Sequence, residues 1–342
     1  PGGCKARPGH AGPRRIRRHS DGASVRKVAK VRRSRELSLL PLNALGPGFY
    51  GGITPFHRDP MDLDSPDAAP VDLGHRTFLA QTHGIVDPTQ VAAAQFADLP
   101  VEPLNPPLLG RRLHNPPLLV ALHALPWQTR LELLERADAQ LRDRGRPLFC
   151  TLLESDAPDR VRPHLMSRMA PLRPRTGRVL FRVHDARVFR HLRWMLGPSQ
   201  MAQLMGPITA WTWHEPLGNT WRTQLRPATE GPPGALIDPD QWEQLAQVAC
   251  INGCLKDLAE AGAGHASTLL PALLQALREA HSAGLRELDD LQWYASQRLR
   301  GTGDAAEQVV VSRRLERVHQ QGMSYRMACQ LELQHGLQTE AA

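Results

Sequence analysis

Lysine is scarce in this chain: four of its 42 basic residues are Lys and the rest are Arg. Aromatic residues make up 5% of it, and its five cysteines, Cys4, Cys150, Cys250, Cys254 and Cys329, are odd in number and lack framework spacing. That pattern argues against a disulfide framework and suits a reducing compartment. No apolar run approaches the ~20 residues of a membrane-spanning helix. The longest, "PPLLVALHALPW" and "LLPALLQAL", fit buried core segments. Basic charge at the N-terminus has no apolar h-region behind it, so no secretory signal is read there and the expected location is the cytoplasm. Common enzyme signatures are missing as well: no GxSxG elbow, no GxxxxGK(S/T) loop and no GxGxxG after a strand. "GPGFYGG" is Gly-rich but leads into no helix, which argues against a phosphate cradle.

What is present is an ordinary globular balance, 41% apolar and 22% charged over 342 residues, enough for one large core or two smaller ones. Abundant Ala, Leu, Pro and Arg is the bias of GC-rich bacterial coding. The net charge of +8 is unevenly spread. Residues 1–35 hold twelve Lys/Arg against Asp21 alone, while the remainder carries 30 basic and 33 acidic residues. The basicity thus belongs to a tail of +11 and the body stands at −3. Since the chain begins at Pro1, residues 1–40 read either as sequence outside the natural protein or as a basic arm that contacts something anionic.

Residues 1–73 combine this tail with a Gly/Pro/Asp-rich stretch and are expected to be largely disordered. From 74 to 228 strand and helix patterns alternate. "RTFLAQTHGI" reads as a strand and "DPTQVAAAQFADL" as a short helix capped by Asp87. "PPLLVAL" is a buried strand, and a helix over "WQTRLELLERADAQLRDRG" ends at Gly145. "RPLFCTLLES", "RVLFRVHD" and "ITAWTWHE" are further strands, with a helix over "APDRVRPHLMSRMAPL" and another after Asp185. After a Gly/Pro-rich boundary, residues 238–335 carry about five helical patterns and no strand signal. The fold expected is an α/β N-terminal lobe with a mixed sheet, followed by an all-α C-terminal lobe.

His184-Asp185, between an apolar run and a basic helical pattern, is the pair most able to hold a metal or move a proton. A His-Asp doublet does this only with further His and Asp ligands, and no HxxxH, HExxH or DxD stands nearby. Asp185 reads more simply as the N-cap of the following helix, with Arg182 and Arg187 placed to pair with it. Cys250 and Cys254 share a helical face but two thiols do not complete a zinc site, so they read as small buried residues. His164, His191 and His319 fall on helical patterns as surface or core residues. "AWTWHEPLGNTW" reads as a hairpin turning at "PLGN", with Trp211 and Trp213 on one face. That face is core by default; exposed beside arginines it would suit a protein interface. No catalytic residue, cofactor or metal is expected.

"VLFRVHDARVFRHLRWML" followed by "QLMGPITAWTW" resembles the bacterial type VI secretion adaptor family, the effector-loading chaperones called Tap or TEC. Phe181, Arg182, Asp185, Arg187, Gly206, Pro207, Ile208 and Trp211 match its pattern. His184 stands where an aromatic is usual and Ala186 where Pro is usual. The likeness extends more loosely over residues 75–322. It implies a non-enzymatic adaptor that binds a toxic effector in the cytoplasm and delivers it to the VgrG spike. Arg182, Asp185, Arg187, Gly206, Pro207, Trp211 and Trp213 are then the motif residues, either structural or in contact with a partner. Two rivals remain: a nucleic-acid binder using the basic arm, disfavoured because the −3 body shows no basic stripe on a recognition element, and a hydrolase using His184 and Asp185.

Overall fold

The computed structural model describes residues 70–340 apart from 216–218, 230–234, 263–265 and 302–303. The basic tail, most of the Gly/Pro/Asp-rich stretch and most of the "PLGN" turn therefore lie outside the described residues. Within the segment expected to be disordered, Pro70–Val71 form a short strand, β1.

The other strands of the main sheet are β2 (His83–Val86), β3 (Val101–Pro103), β4 (Leu118–Ala121), β5 (Thr151–Ser155), β8 (Ile208–Glu215) and β9 (Thr220–Leu225). They lie in the order β1-β9-β8-β5-β2-β4-β3. Each pairing is antiparallel, which refines the expectation of a mixed sheet. A separate two-stranded hairpin joins β6 (Leu172–Arg173) to β7 (Gly177–Arg178).

Strand alternation sorts the core into two layers. Ile85, Leu119, Leu153, Trp211 and Trp213 project to one side, where α3 (Val161–Arg168), α4 (Ala186–Met195) and α5 (Pro198–Met205) cover them with Leu165, Phe189, Leu192 and Leu204. Val86, Val120, Leu152 and Trp221 project to the other. There α1 (His75–Ala80) supplies Phe78 and α2 (Trp127–Arg144) supplies Leu133, Leu134 and Ala137. Gly145 ends α2 in the left-handed conformation, φ 62°, as its position in the sequence predicts.

Three sequence expectations are corrected. "RTFLAQTHGI" is not one strand: its first half is α1, which buries Phe78 against Phe149 at a ring separation of 6.1 Å, and only His83–Val86 joins the sheet. "DPTQVAAAQFADL" forms a turn and one 3₁₀ turn at Ala93–Gln95 rather than an α-helix. Val91 and Leu99 are its only buried apolar side chains, too few to support a helix by tertiary packing. "VLFRVHD" joins no strand ladder. Val179, Phe181 and Val183 are buried alternately, but Val179 and Phe181 donate their N–H groups to Pro171 and Met169, along the end of α3. The alternation was real; the backbone partner was not a strand.

After β9 come α6 (Pro239–Glu260), α7 (Ala266–Ser282), α8 (Leu288–Arg300), α9 (Ala305–Gln321) and α10 (Tyr325–Glu340). The all-α part follows the α/β part as expected. Its core is not a second core, however. Val248, Ile251, Cys254 and Leu255 of α6, with Leu273, Leu277, Tyr294 and Tyr325 behind them, continue the layer that holds Phe189 and Trp211. Among the described residues, no helix is long and apolar enough to cross a membrane.

Candidate functional site

Asp185 sits where the extended segment turns into α4, 4% exposed. Its Oδ1 accepts from the Arg187 backbone N–H at 3.0 Å, which caps the helix, and from Arg187 Nε at 3.0 Å. Its Oδ2 accepts from Arg187 Nη2 at 2.9 Å and lies 3.4 Å from Arg182 Nη2. Arg182 Nη2 also reaches Asp87 Oδ2 at 3.3 Å. Asp87 in turn holds its own turn through Thr89 and Gln90. One guanidinium therefore ties the loop after β2 to the start of α4. Burial alone would push Asp185 up, but Arg187 and Arg182 outweigh it and hold the carboxyl below its usual range. Burial acts likewise on Asp87, and the Thr89 and Gln90 hydrogen bonds prevail there.

His184 is shut from solvent at 3% exposure. Its carbonyl accepts from Thr151 Oγ1 at 2.9 Å, which anchors the joint to β5. Burial, then the neighbouring Arg182, lowers the imidazole to about 4, so it is neutral at physiological pH. The Asp185 oxygens are committed to the cap and the arginines, and His184 Nδ1 is buried without a hydrogen-bond partner among the described residues. In its geometry the pair joins the extended segment to α4. Among the described residues, no group of three or more His, Cys, Asp or Glu could hold a metal ion. Cys250 and Cys254 are buried in the core; the hydrogen bond to Cys254, and then burial, push the Cys250 thiol up.

The second half of the motif packs beneath α4. Gly206 ends α5 at φ 56°, and a Cβ there would lie 2.2 Å from the His164 ring, so conformation and space both require glycine. His164 occupies that space because its Nε2 meets the Leu204 carbonyl at 2.7 Å. The Pro207 carbonyl accepts from Ser155 Oγ at 2.7 Å, registering the start of β8 against β5. Trp211 and Trp213 are fully buried. Phe189 stacks on Trp211 at 4.5 Å and 7°, and meets Trp213 edge-on at 5.1 Å. These indoles are core, not an interface face.

A buried polar cluster between α4 and α6 completes the region, and sequence reasoning missed it. Arg190, 7% exposed, donates to Glu215 Oε1 at 2.7 Å and to Asn252 Oδ1. Trp194 Nε1 donates to His191 Nδ1 at 3.2 Å, and His191 Nε2 lies 3.0 Å from Asn252 Oδ1 and 3.2 Å from Arg190 Nε. Asn252 Nδ2 donates to the Arg187 carbonyl at 3.0 Å. Burial, then Arg190, lowers His191 to about 3. Asn252, at a core step of an otherwise apolar helix pattern, was the available signal. Its partners lie some sixty positions away in sequence, so nothing local identified them. Comparison with protein-family models, curated proteins and solved structures finds no match to this chain.

Proposed function

We propose that this chain is a non-enzymatic, cytoplasmic adaptor that binds a type VI secretion effector and loads it onto the VgrG spike. The reading starts from the sequence resemblance. The observation that supports it is that the residues carrying that resemblance form one connected unit. Asp185 caps α4, Arg182 and Arg187 close on it, Gly206 and Pro207 set the register of β8, and Trp211 seats α4 on the sheet. The joint itself then has a scaffolding role, and partner recognition falls to the surface around it.

The test is affinity capture of the tagged chain from its native bacterium, read by mass spectrometry. Recovery of a toxin-like protein together with a VgrG-type spike is the expected result. Recovery of nucleic acid instead, with steep salt dependence and loss on deletion of residues 1–40, would replace the adaptor by the rival reading.

A further inference from the structure

We propose that the cleft between α2 and the chain leading into α1 is a binding site for an organic cation, a guanidinium or alkylammonium group carried on an apolar stem. β1 fixes one wall of this cleft. Val71 lies directly opposite Trp221 in the ladder with β9, so Asp72 leaves the sheet beside that indole and both line the cleft. α2 supplies the facing wall with Leu134, Asp138 and Leu141, which share one helical face by their steps of four and three residues. The walls enclose about 390 Å³, the size of a small-ligand site.

Leu134 and Trp221 are buried and Leu141 is half-buried, which makes the floor apolar. Asp72, Glu135 and Asp138 are exposed at the rim, and no Lys or Arg lines the cleft. Among the described residues, no hydrogen bond or ion pair engages any of these three carboxyl groups. Arg136, next to Glu135 in the chain, closes instead on Asp98 at 2.7 Å. Burial lifts the Asp138 carboxyl above its usual range; Arg142 opposes the lift, Asp72 adds to it, and the net shift stays upward. A carboxyl that loses water and faces a like charge without gaining a partner costs the fold stability, and a bound cation removes that cost.

The arrangement selects the kind of cation. Among the described residues no group of three His, Cys, Asp or Glu could hold a metal ion, so these carboxylates do not converge on a point charge. Spread around an apolar floor, they match a cation whose stem lies against Leu134 and Leu141. Trp221 adds an aromatic wall, which favours guanidinium and ammonium groups. His214 steadies that indole, its ring edge-on at 5.4 Å and 69°. Burial lowers His214, so the imidazole brings no competing positive charge at neutral pH. The inference is independent of the adaptor reading, because the cation is either a free small molecule or a side chain of another protein.

The test is calorimetric titration of the full chain and of its Asp138→Asn and Glu135→Gln variants. Three probes are used: butylguanidinium, a capped leucine–arginine–leucine peptide, and the same peptide with uncharged citrulline in place of arginine. Saturable binding of a guanidinium probe is expected, with none for the citrulline peptide. Asp138→Asn is expected to weaken that binding roughly tenfold while leaving the melting temperature unchanged or raised, since it relieves the repulsion from Asp72. Tighter binding of the arginine peptide than of butylguanidinium would assign the cation to a partner protein, and the reverse order to a free small molecule. The proposal is overturned by any of three results: no saturable binding of either guanidinium probe, equal binding of the citrulline peptide, or unchanged affinity in both variants.

Discussion

Replacing Asp185 by Ala removes the acceptor for the first free N–H of α4 and leaves Arg182 and Arg187 facing each other. The expected cost is about 3 kcal/mol, read as a lower urea midpoint, with Asp185→Asn losing about half as much because it still caps. At Gly206 even a methyl group meets the His164 ring and the backbone must hold a positive φ, so Gly206→Ala should cost about 2–3 kcal/mol. Buried histidines set the pH dependence. His83 and His184 are held at about 4 and His191 at about 3, chiefly by burial, against 6.5 for an unperturbed histidine. As pH falls from 6.5 towards 4, the unfolded chain takes up protons that the folded one refuses. Stability must therefore fall, by up to about 4 kcal/mol per pH unit for the three groups together. The depressed carboxyls of Asp87 and Asp185 act lower: their contribution is present above about pH 4 and lost beneath it. Urea midpoints should be flat above pH 7.5 and drop steeply from 6.5 to 5, with a shallower drop for His191→Gln. A flat profile throughout would mean these imidazoles are not held neutral.

Packing between elements decides the next scale. Trp211→Ala opens a void under α4 and should cost about 3–5 kcal/mol. Asn252→Ala strands Arg190, His191 and the Arg187 carbonyl without their shared partner, for about 2–3 kcal/mol, measured as loss of midpoint with unchanged denaturant slope. At this scale the sequence was informative wherever a signal was local. Asp185 before α4, Gly145 after α2 and the alternation in "ITAWTWHE" each carry their meaning within a few residues. It misled where a local pattern had a non-local cause. The alternation of Val179, Phe181 and Val183 answers to the end of α3, and α1 is a six-residue helix fixed by one buried phenylalanine. The Arg190–His191–Asn252 cluster was illegible because it needs partners from distant elements.

For the molecule as a whole, the shared layer running from Trp211 to Tyr325 means the two parts should not unfold separately. Tryptophans sit in both, Trp211 and Trp213 in β8, Trp242 in α6 and Trp293 in α8, so near-ultraviolet dichroism samples the entire core. One cooperative transition is expected, coincident with the far-ultraviolet signal. Residues 238–335 produced alone should aggregate unless residues 74–228 are co-expressed; two separated transitions in the intact chain would contradict this. The strand order also sets a clock on biosynthesis. β5 must wait for β8, whose paired residues Thr151 and Trp213 lie about 60 positions apart in the chain. At roughly 5–20 residues per second of translation, that interval is on the order of three to twelve seconds. Throughout it the nascent sheet shows a bare edge on a crowded ribosome, so the yield of this protein depends on what shields β5 before β8 emerges.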